Sequence, residues 1–192
     1  MKEKTDIRVQ FTRKVLRDSL VELMKEKSIL RISIREICET AGVSRSTFYT
    51  YYKDQYELLE QMEEETFIEL DKVIKKYNPS GTMPTAKELT ALLEDVLRYV
   101  AGNYNSIQVF LGENGESGFQ RKIARFLTGR IRPLRNTGQV KTLPDEQTLD
   151  YCSVFMRDGC IAIMQEWLKN GMDMGIRDMA KLLARLVRGV LV

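Results

Sequence analysis

The stretch from Phe11 to Met24 carries apolar residues at Phe11, Val15, Leu16, Leu20, Leu23 and Met24, among others, in steps of three and four that align them on one side of a helix. The same period returns at Leu89, Leu92, Leu93, Val96, Leu97 and Val100, and again along the last third of the chain. No stretch shows the every-second-residue alternation of a half-buried strand, and no internal repeat is visible. A chain patterned this way closes a core only by packing helix on helix. The expected fold is all-α, with about nine helices.

Capping residues and breakers set the expected boundaries. A first helix covers about Val9 to Lys27. Ser33 caps a short helix from Ile34 to Thr40 with Glu36 in its first turn, Gly42 breaks it, and Ser44 caps the next, from Arg45 to about Tyr51. Asp54 with Glu57 reads as a capping box opening a long helix toward Tyr77. The stretch Asn78 to Thr85 is dense in Pro, Gly and small polar residues, and Thr85 with Glu88 opens a helix to Gly102. Further helices are expected at Ile107–Leu111, at Phe119–Leu134, from Asp145 to Asn170 with Gly171 as the stop, and from Ile176 to Val190.

Composition narrows the function. The 192 residues contain no histidine, which removes Ser-His-Asp and Cys-His catalysis, His-based zinc sites and the usual neutral-pH base. No acidic metal cluster or Gly-rich phosphate loop is seen, so no catalytic residue, metal or cofactor is expected. No run approaches the ~20 apolar residues of a bilayer span, and the N-terminus lacks an apolar signal core. Three cysteines without a C-x-x-C pair fit a reducing compartment. The expected location is cytoplasmic. Net charge is +3, but residues 1–53 hold 12 Lys/Arg against 7 Asp/Glu. That basic first quarter suits a polyanion. Lys2, Lys4 and Arg8 read as a frayed, solvated terminus rather than an arm along DNA.

The densest signal is Ile34 to Tyr52. Two short helices crossing steeply need a glycine at the turn and small residues where they touch, here Gly42 with Cys38 and Ala41. Ile37, Val43 and Phe48 fall where they fill a small core. Arg45, Ser46, Thr47, Tyr49 and Thr50 are left without apolar duty on the second helix, which suits entry into a DNA groove. Tyr49, Tyr51 and Tyr52 within four residues are hard to bury together, and hydroxyls at a phosphate backbone give some of them a use.

The series Ser33-Ile34-Arg35-Glu36-Ile37, Ala41-Gly42-Val43-Ser44 and Thr47-Phe48-Tyr49-x-Tyr51-Tyr52-Lys53-Asp54-x-Tyr56-x-Leu58-Leu59 resembles the N-terminal DNA-binding domain of TetR-type transcriptional regulators. Leu111-Gly112-Glu113-Asn114-Gly115, Phe119 and Trp167-Leu168-x-Asn170-Gly171 are similar to one subgroup of their C-terminal domains. The resemblance implies a three-helix head in residues 1–53 and a ligand-binding and dimerisation body in residues 54–192. It also implies a homodimer on palindromic double-stranded DNA, with Arg45 and Thr47 reading bases and Ser33, Ser44, Tyr49, Tyr51 and Lys53 holding phosphates. Ser46 and Thr50 complete the candidate DNA face. The family commonly has histidine where Tyr51 stands and lysine where Gln55 stands.

In the body, Leu149, Cys152, Met156, Gly159, Cys160, Ile163 and Trp167 recur at helical spacing, as do Ile176, Met179, Ala180, Leu183, Leu186, Val187 and Val190. Periodicity leaves open whether these stripes face their own core or a second subunit. The resemblance points to the second, with Cys152, Met156, Gly159, Ile163, Met179, Leu183, Leu186 and Val187 at a four-helix dimer interface. Cys152 and Cys160 read as small hydrophobes, since no basic neighbour lowers a thiol pKa. Phe67, Tyr99, Phe110, Phe126, Tyr151 and Phe155 are candidates to line a cavity for an unidentified small-molecule effector. Glu63, Glu64 and Glu65 read as a solvated helix face. The leading function is therefore a repressor released by a small molecule. The alternative is a TetR-like dimer that acts as a co-activator through protein contacts without operator binding.

Overall fold

The computed structural model of the chain describes residues 2–77, 84–112, 119, 121–123, 125 and 146–191. Helix α1 spans Lys2–Glu26, a 3₁₀ turn Ile29–Arg31, α2 Ile34–Ala41, α3 Arg45–Tyr51, α4 Gln55–Tyr77, α5 Ala86–Gly102, α6 Tyr104–Leu111, α7 Glu146–Lys169 and α8 Ile176–Leu191. Phe119, residues 121–123 and Arg125 are also helical. The described residues contain no strand, and the fold is all-α, a helix-turn-helix head on a helical body.

The N-terminal boundary differs from expectation. Helix α1 begins at Lys2, so the backbone read as frayed is helical. The 3₁₀ turn was not foreseen. It is capped by Ser28, whose hydroxyl accepts the Leu30 N–H, and it buries Ile29 fully. Helix α6 starts one turn earlier than expected, at Tyr104. The helix expected from Phe119 to Leu134 and the loop after it lie largely outside the described residues.

Caps account for most of the starts and stops. Ser33/Glu36 and Thr85/Glu88 each form a reciprocal capping box. Asp54 and Glu57 form only half of one. Asp54 Oδ1 accepts the Glu57 N–H at 2.8 Å, but the Glu57 carboxylate accepts the N–H of Lys53, one residue further back. Helix α2 ends in a Schellman turn, with the Val43 N–H on the Cys38 carbonyl at 3.0 Å and Gly42 at φ 65°. A Cβ on Gly42 would meet nothing within 4 Å, so a substitution there strains only the backbone. Gly42→Ala is expected to lower stability by about 1 kcal/mol, read from the urea midpoint.

One apolar core runs through head and body. Leu16, Leu20, Ile37 and Phe48 are fully buried in the head, and the cluster continues through Leu58 on α4 and Leu97, Phe110 and Leu183 further into the body. Helix α4 carries the connection, packing on α1 with its first turns and on α5 further along.

Candidate nucleic-acid interface

The head is built around a few side chains. Phe48 and Ile37 are fully buried and Cys38 nearly so, and they pack α2 on α1 and α3 on α2. With Phe48 inward, α3 turns Arg45, Ser46, Tyr49 and Thr50 outward, all exposed. Tyr49 is 58% exposed. Arg45 and Lys53 have no ion-pair partner among the described residues, and α3 carries no acidic side chain. This leaves a polar face with two cations unpaired among the described residues.

The three tyrosines separate by role. Tyr49 is exposed, Tyr51 is half-buried, and Tyr52 is buried against Phe48, with ring centroids 5.7 Å apart. Only one of the three is thus lost to the core.

The hydroxyls of the head are partly committed. Ser44 Oγ accepts the Thr47 N–H at 3.1 Å and lies 2.7 Å from Ser46 Oγ and 2.9 Å from Thr47 Oγ1. The Thr50 hydroxyl donates to the Ser46 carbonyl at 3.0 Å, leaving its methyl as the group free for an apolar contact. Ser33 Oγ accepts the Glu36 N–H and donates to Glu36 Oε2 at 2.8 Å. With its hydrogen on the Glu36 carboxylate, the Ser33 hydroxyl acts in this structure as the cap of α2.

Glu36 also holds Lys27 Nζ at 2.5 Å. Lys27 first, then the Ser33 N–H and hydroxyl, lower the Glu36 pKa from 4.5 to about 2. A folded value depressed this way supports the fold fully above the ordinary carboxylate range, and the support disappears as pH falls toward 2. Glu36→Gln should therefore melt below the wild type at neutral pH, with the gap closing between pH 4.5 and 2 in a series of thermal melts.

Between head and body lies a polar seam. Arg13 Nη2 donates to Gln61 Oε1 at 2.8 Å, and Arg17 pairs with Glu65 one turn along both helices. Burial works against the Arg17 charge, but Glu65 and the Tyr52 hydroxyl outweigh it and raise its pKa. The acidic run expected to be a solvated face divides. Glu64 is exposed and Glu65 meets Arg17, but Glu63 is 5% exposed and its carboxylate accepts from Lys122 at 2.8 Å. Glu63 shares its helix face with Leu59, Met62 and Thr66, which turn inward.

Two of the aromatic candidates for a cavity meet at one place. Phe110 is buried, Phe67 half-buried, and both stack against Phe119, at 4.9 and 5.0 Å between centroids. Tyr99 is half-buried, and burial raises its hydroxyl pKa. Tyr151 and Phe155 stand on the surface, 69% and 67% exposed. Phe126 lies outside the described residues. An open groove of about 590 Å³ lies at the junction of α1, α6 and α7, beside Met24, Gln108, Gln165 and Lys169, and touches none of these aromatics.

Of the candidate interface residues, Met156, Met179 and Leu183 are buried within the chain itself. Helical spacing could not show this, because α7 and α8 also need an inward face. Leu186 is 46% exposed, and Cys152, Gly159, Ile163 and Val187 are half-buried. A Cβ on Gly159 would meet nothing within 4 Å. The Cys160 thiol is pushed up to about 11 by burial, as befits a small hydrophobe. Among the described residues no group of three His, Cys, Asp or Glu could hold a metal ion, and no helix is long and apolar enough to cross a membrane.

Comparison with known proteins agrees with this architecture. Residues 16–62 match the family model described as bacterial regulatory proteins, tetR family, and residues 87–189 match a transcriptional regulator C-terminal region. The transcriptional activator of the dhaKLM operon, DhaS, from Lactococcus lactis is 37% identical over 59 residues, which are 31% of this chain and 32% of that protein. The match thus spans less than two thirds of that relative. A TetR regulator structure from Streptococcus agalactiae superposes with a TM-score of 0.67 at 20% identity, covering 97% of this chain and 99% of that one. FadR from Bacillus subtilis, in complex with stearoyl-CoA, superposes with a TM-score of 0.63 at 18% identity, covering 91% of this chain and 96% of that one. With both of its halves matched by regulator models and its helix-turn-helix head in place, this chain belongs to the TetR family of transcriptional regulators.

Proposed function

We propose that the protein is an operator-binding repressor that works as a two-fold dimer and releases DNA when a small molecule enters the body. The observation that carries the DNA-binding part is the division of α3. Phe48 is fully buried while Arg45, Ser46, Tyr49 and Thr50 are exposed and no acidic residue stands among them. Arg45 and Thr47 are assigned to base edges, and Ser44, Tyr49, Tyr51 and Lys53 to the flanking phosphates. The alternative of a co-activator that makes only protein contacts gives Arg45 and Lys53 no role.

One helix of seven residues reads few base pairs, so specificity requires a second copy. On the two assigned helices the exposed large apolar side chains are Tyr151, Val154 and Phe155 of α7 and Leu186 of α8. They extend the assigned interface beyond Cys152, Gly159, Ile163 and Val187, the half-buried members expected there. A two-fold axis through this face would place two α3 helices on one side of a duplex, about 34 Å apart.

For the effector, the solved FadR neighbour holds stearoyl-CoA, which supports a body able to accept an apolar ligand. Phe67, Tyr99 and Phe110 remain the candidates here. Ligand binding would shift the heads only by the ratio of its affinities for the DNA-competent and released states. Selection of bound sequences from a random duplex pool tests the reading. An inverted repeat is expected, and recovery of no enriched sequence would overturn it.

A further inference from the structure

Tyr52 fills its place in the core with its ring, 2% exposed, and a phenylalanine would fill the same space. Its hydroxyl does something the core does not need. It accepts from Arg13 Nε at 3.4 Å, and the Arg13 guanidinium also lies 5.8 Å from the ring centroid. The same guanidinium donates through Nη2 to Gln61 Oε1 at 2.8 Å. Gln61 Nε2 in turn donates to Glu57 Oε1 at 3.3 Å, and Glu57 Oε2 accepts the backbone N–H of Lys53 at 2.5 Å. Arg13 of α1 thus engages the residue that caps α3 through a hydroxyl that Arg17 also faces. Through two residues of α4 it also reaches the peptide that follows.

We propose that Arg13 is a positioning residue for operator recognition, fixing the tilt of α3 against α4 through Tyr52 and Gln61 and thereby the half-site spacing the dimer accepts. The proposal rests on the dimeric operator-binding reading above. Its lever is α4, whose 23 residues make a rod of about 35 Å at ~1.5 Å per residue. A tilt of about 5° at one end of such a rod moves the other by about 3 Å, close to the ~3.4 Å rise of one base pair. Neither Arg13 nor Tyr52 belongs to the DNA face itself, so removing the clamp leaves the base contacts assigned to Arg45 and Thr47 within each half-site in place. What it loosens is the separation at which two half-sites are engaged together.

The test uses the full-length dimer and its selected operator, with duplexes whose central spacer is one base pair longer or shorter. The variants are Tyr52→Phe, which removes one hydroxyl from an otherwise unchanged core, and Arg13→Met, which keeps the stem and loses the donors. The wild type is expected to prefer its own spacing by about tenfold or more, the scale of one lost base contact. Both variants should narrow that preference to about threefold or less while keeping the wild-type ranking of single-base substitutions inside a half-site. If Arg13→Met fails to fold, Tyr52→Phe carries the measurement alone. Unchanged spacing preference in folded variants overturns the clamp, as does a loss of base ranking in step with spacing. A wild type that binds no duplex overturns the DNA-binding reading itself, and the clamp with it.

Discussion

Replacing Arg45 and Tyr49 together by alanine is expected to abolish operator protection while leaving the chain folded and dimeric. Both side chains are exposed, and neither has a hydrogen bond or ion pair to lose among the described residues. Stability should therefore move by only about 1 kcal/mol, the loss of the edge-to-face contact of Tyr49 with Phe48. An arginine on a guanine edge accounts for about 1–3 kcal/mol of discrimination, and each dimer carries two. With the tyrosine contacts to phosphate, the loss in operator affinity should reach about a thousandfold. The single variants separate the roles. Arg45→Ala should relax preference at one base position, whereas Tyr49→Phe should weaken all sequences alike. Footprinting beside a thermal melt and a sedimentation run reads all three properties, and undiminished protection would remove α3 from the interface.

The second large effect concerns α7. Tyr151→Glu with Phe155→Glu is expected to give a monomer at micromolar concentration. Both residues are about two-thirds exposed, 69% and 67%, an unusual cost for aromatic side chains that no other described residue covers. Central interface aromatics are each worth about 2 kcal/mol or more, so two per subunit should raise the dimer dissociation constant by at least about a thousandfold. Operator binding should fall with it, because a lone head loses its second half-site. Met156→Ala and Leu183→Ala make the contrast. Those side chains are buried in their own subunit, so they should lower the melting temperature, by about 2–5 kcal/mol of stability each, rather than dissociate the dimer selectively. Sedimentation equilibrium distinguishes the two outcomes.

What the sequence made legible was local. Ser33, Gly42 and Ser44 act within three or four residues of their partners, so the bounds of α2 and α3 and the burial of Ile37, Cys38 and Phe48 could be read directly. What it hid depends on distant pairs. Arg13 meets Tyr52 across 39 positions, and Glu63 meets Lys122 across 59. No periodicity reports such partners, and three consecutive glutamates look solvated until a lysine from another segment arrives. The α7 stripe was ambiguous for a related reason. A helix with apolar residues on two faces gives one periodic signal, and only packing shows that Met156 turns inward while Tyr151 and Phe155 turn out.

The central claim is that two copies of α3 read one duplex together. Chemical protection of guanine N7 on the selected operator tests it most directly, since that atom lies in the major groove. The expected pattern is two protected tracts on one face of the duplex, centred about one helical turn apart, both absent with Arg45→Ala and Tyr49→Ala. A single tract, protection that survives the double substitution, or none at all would contradict it.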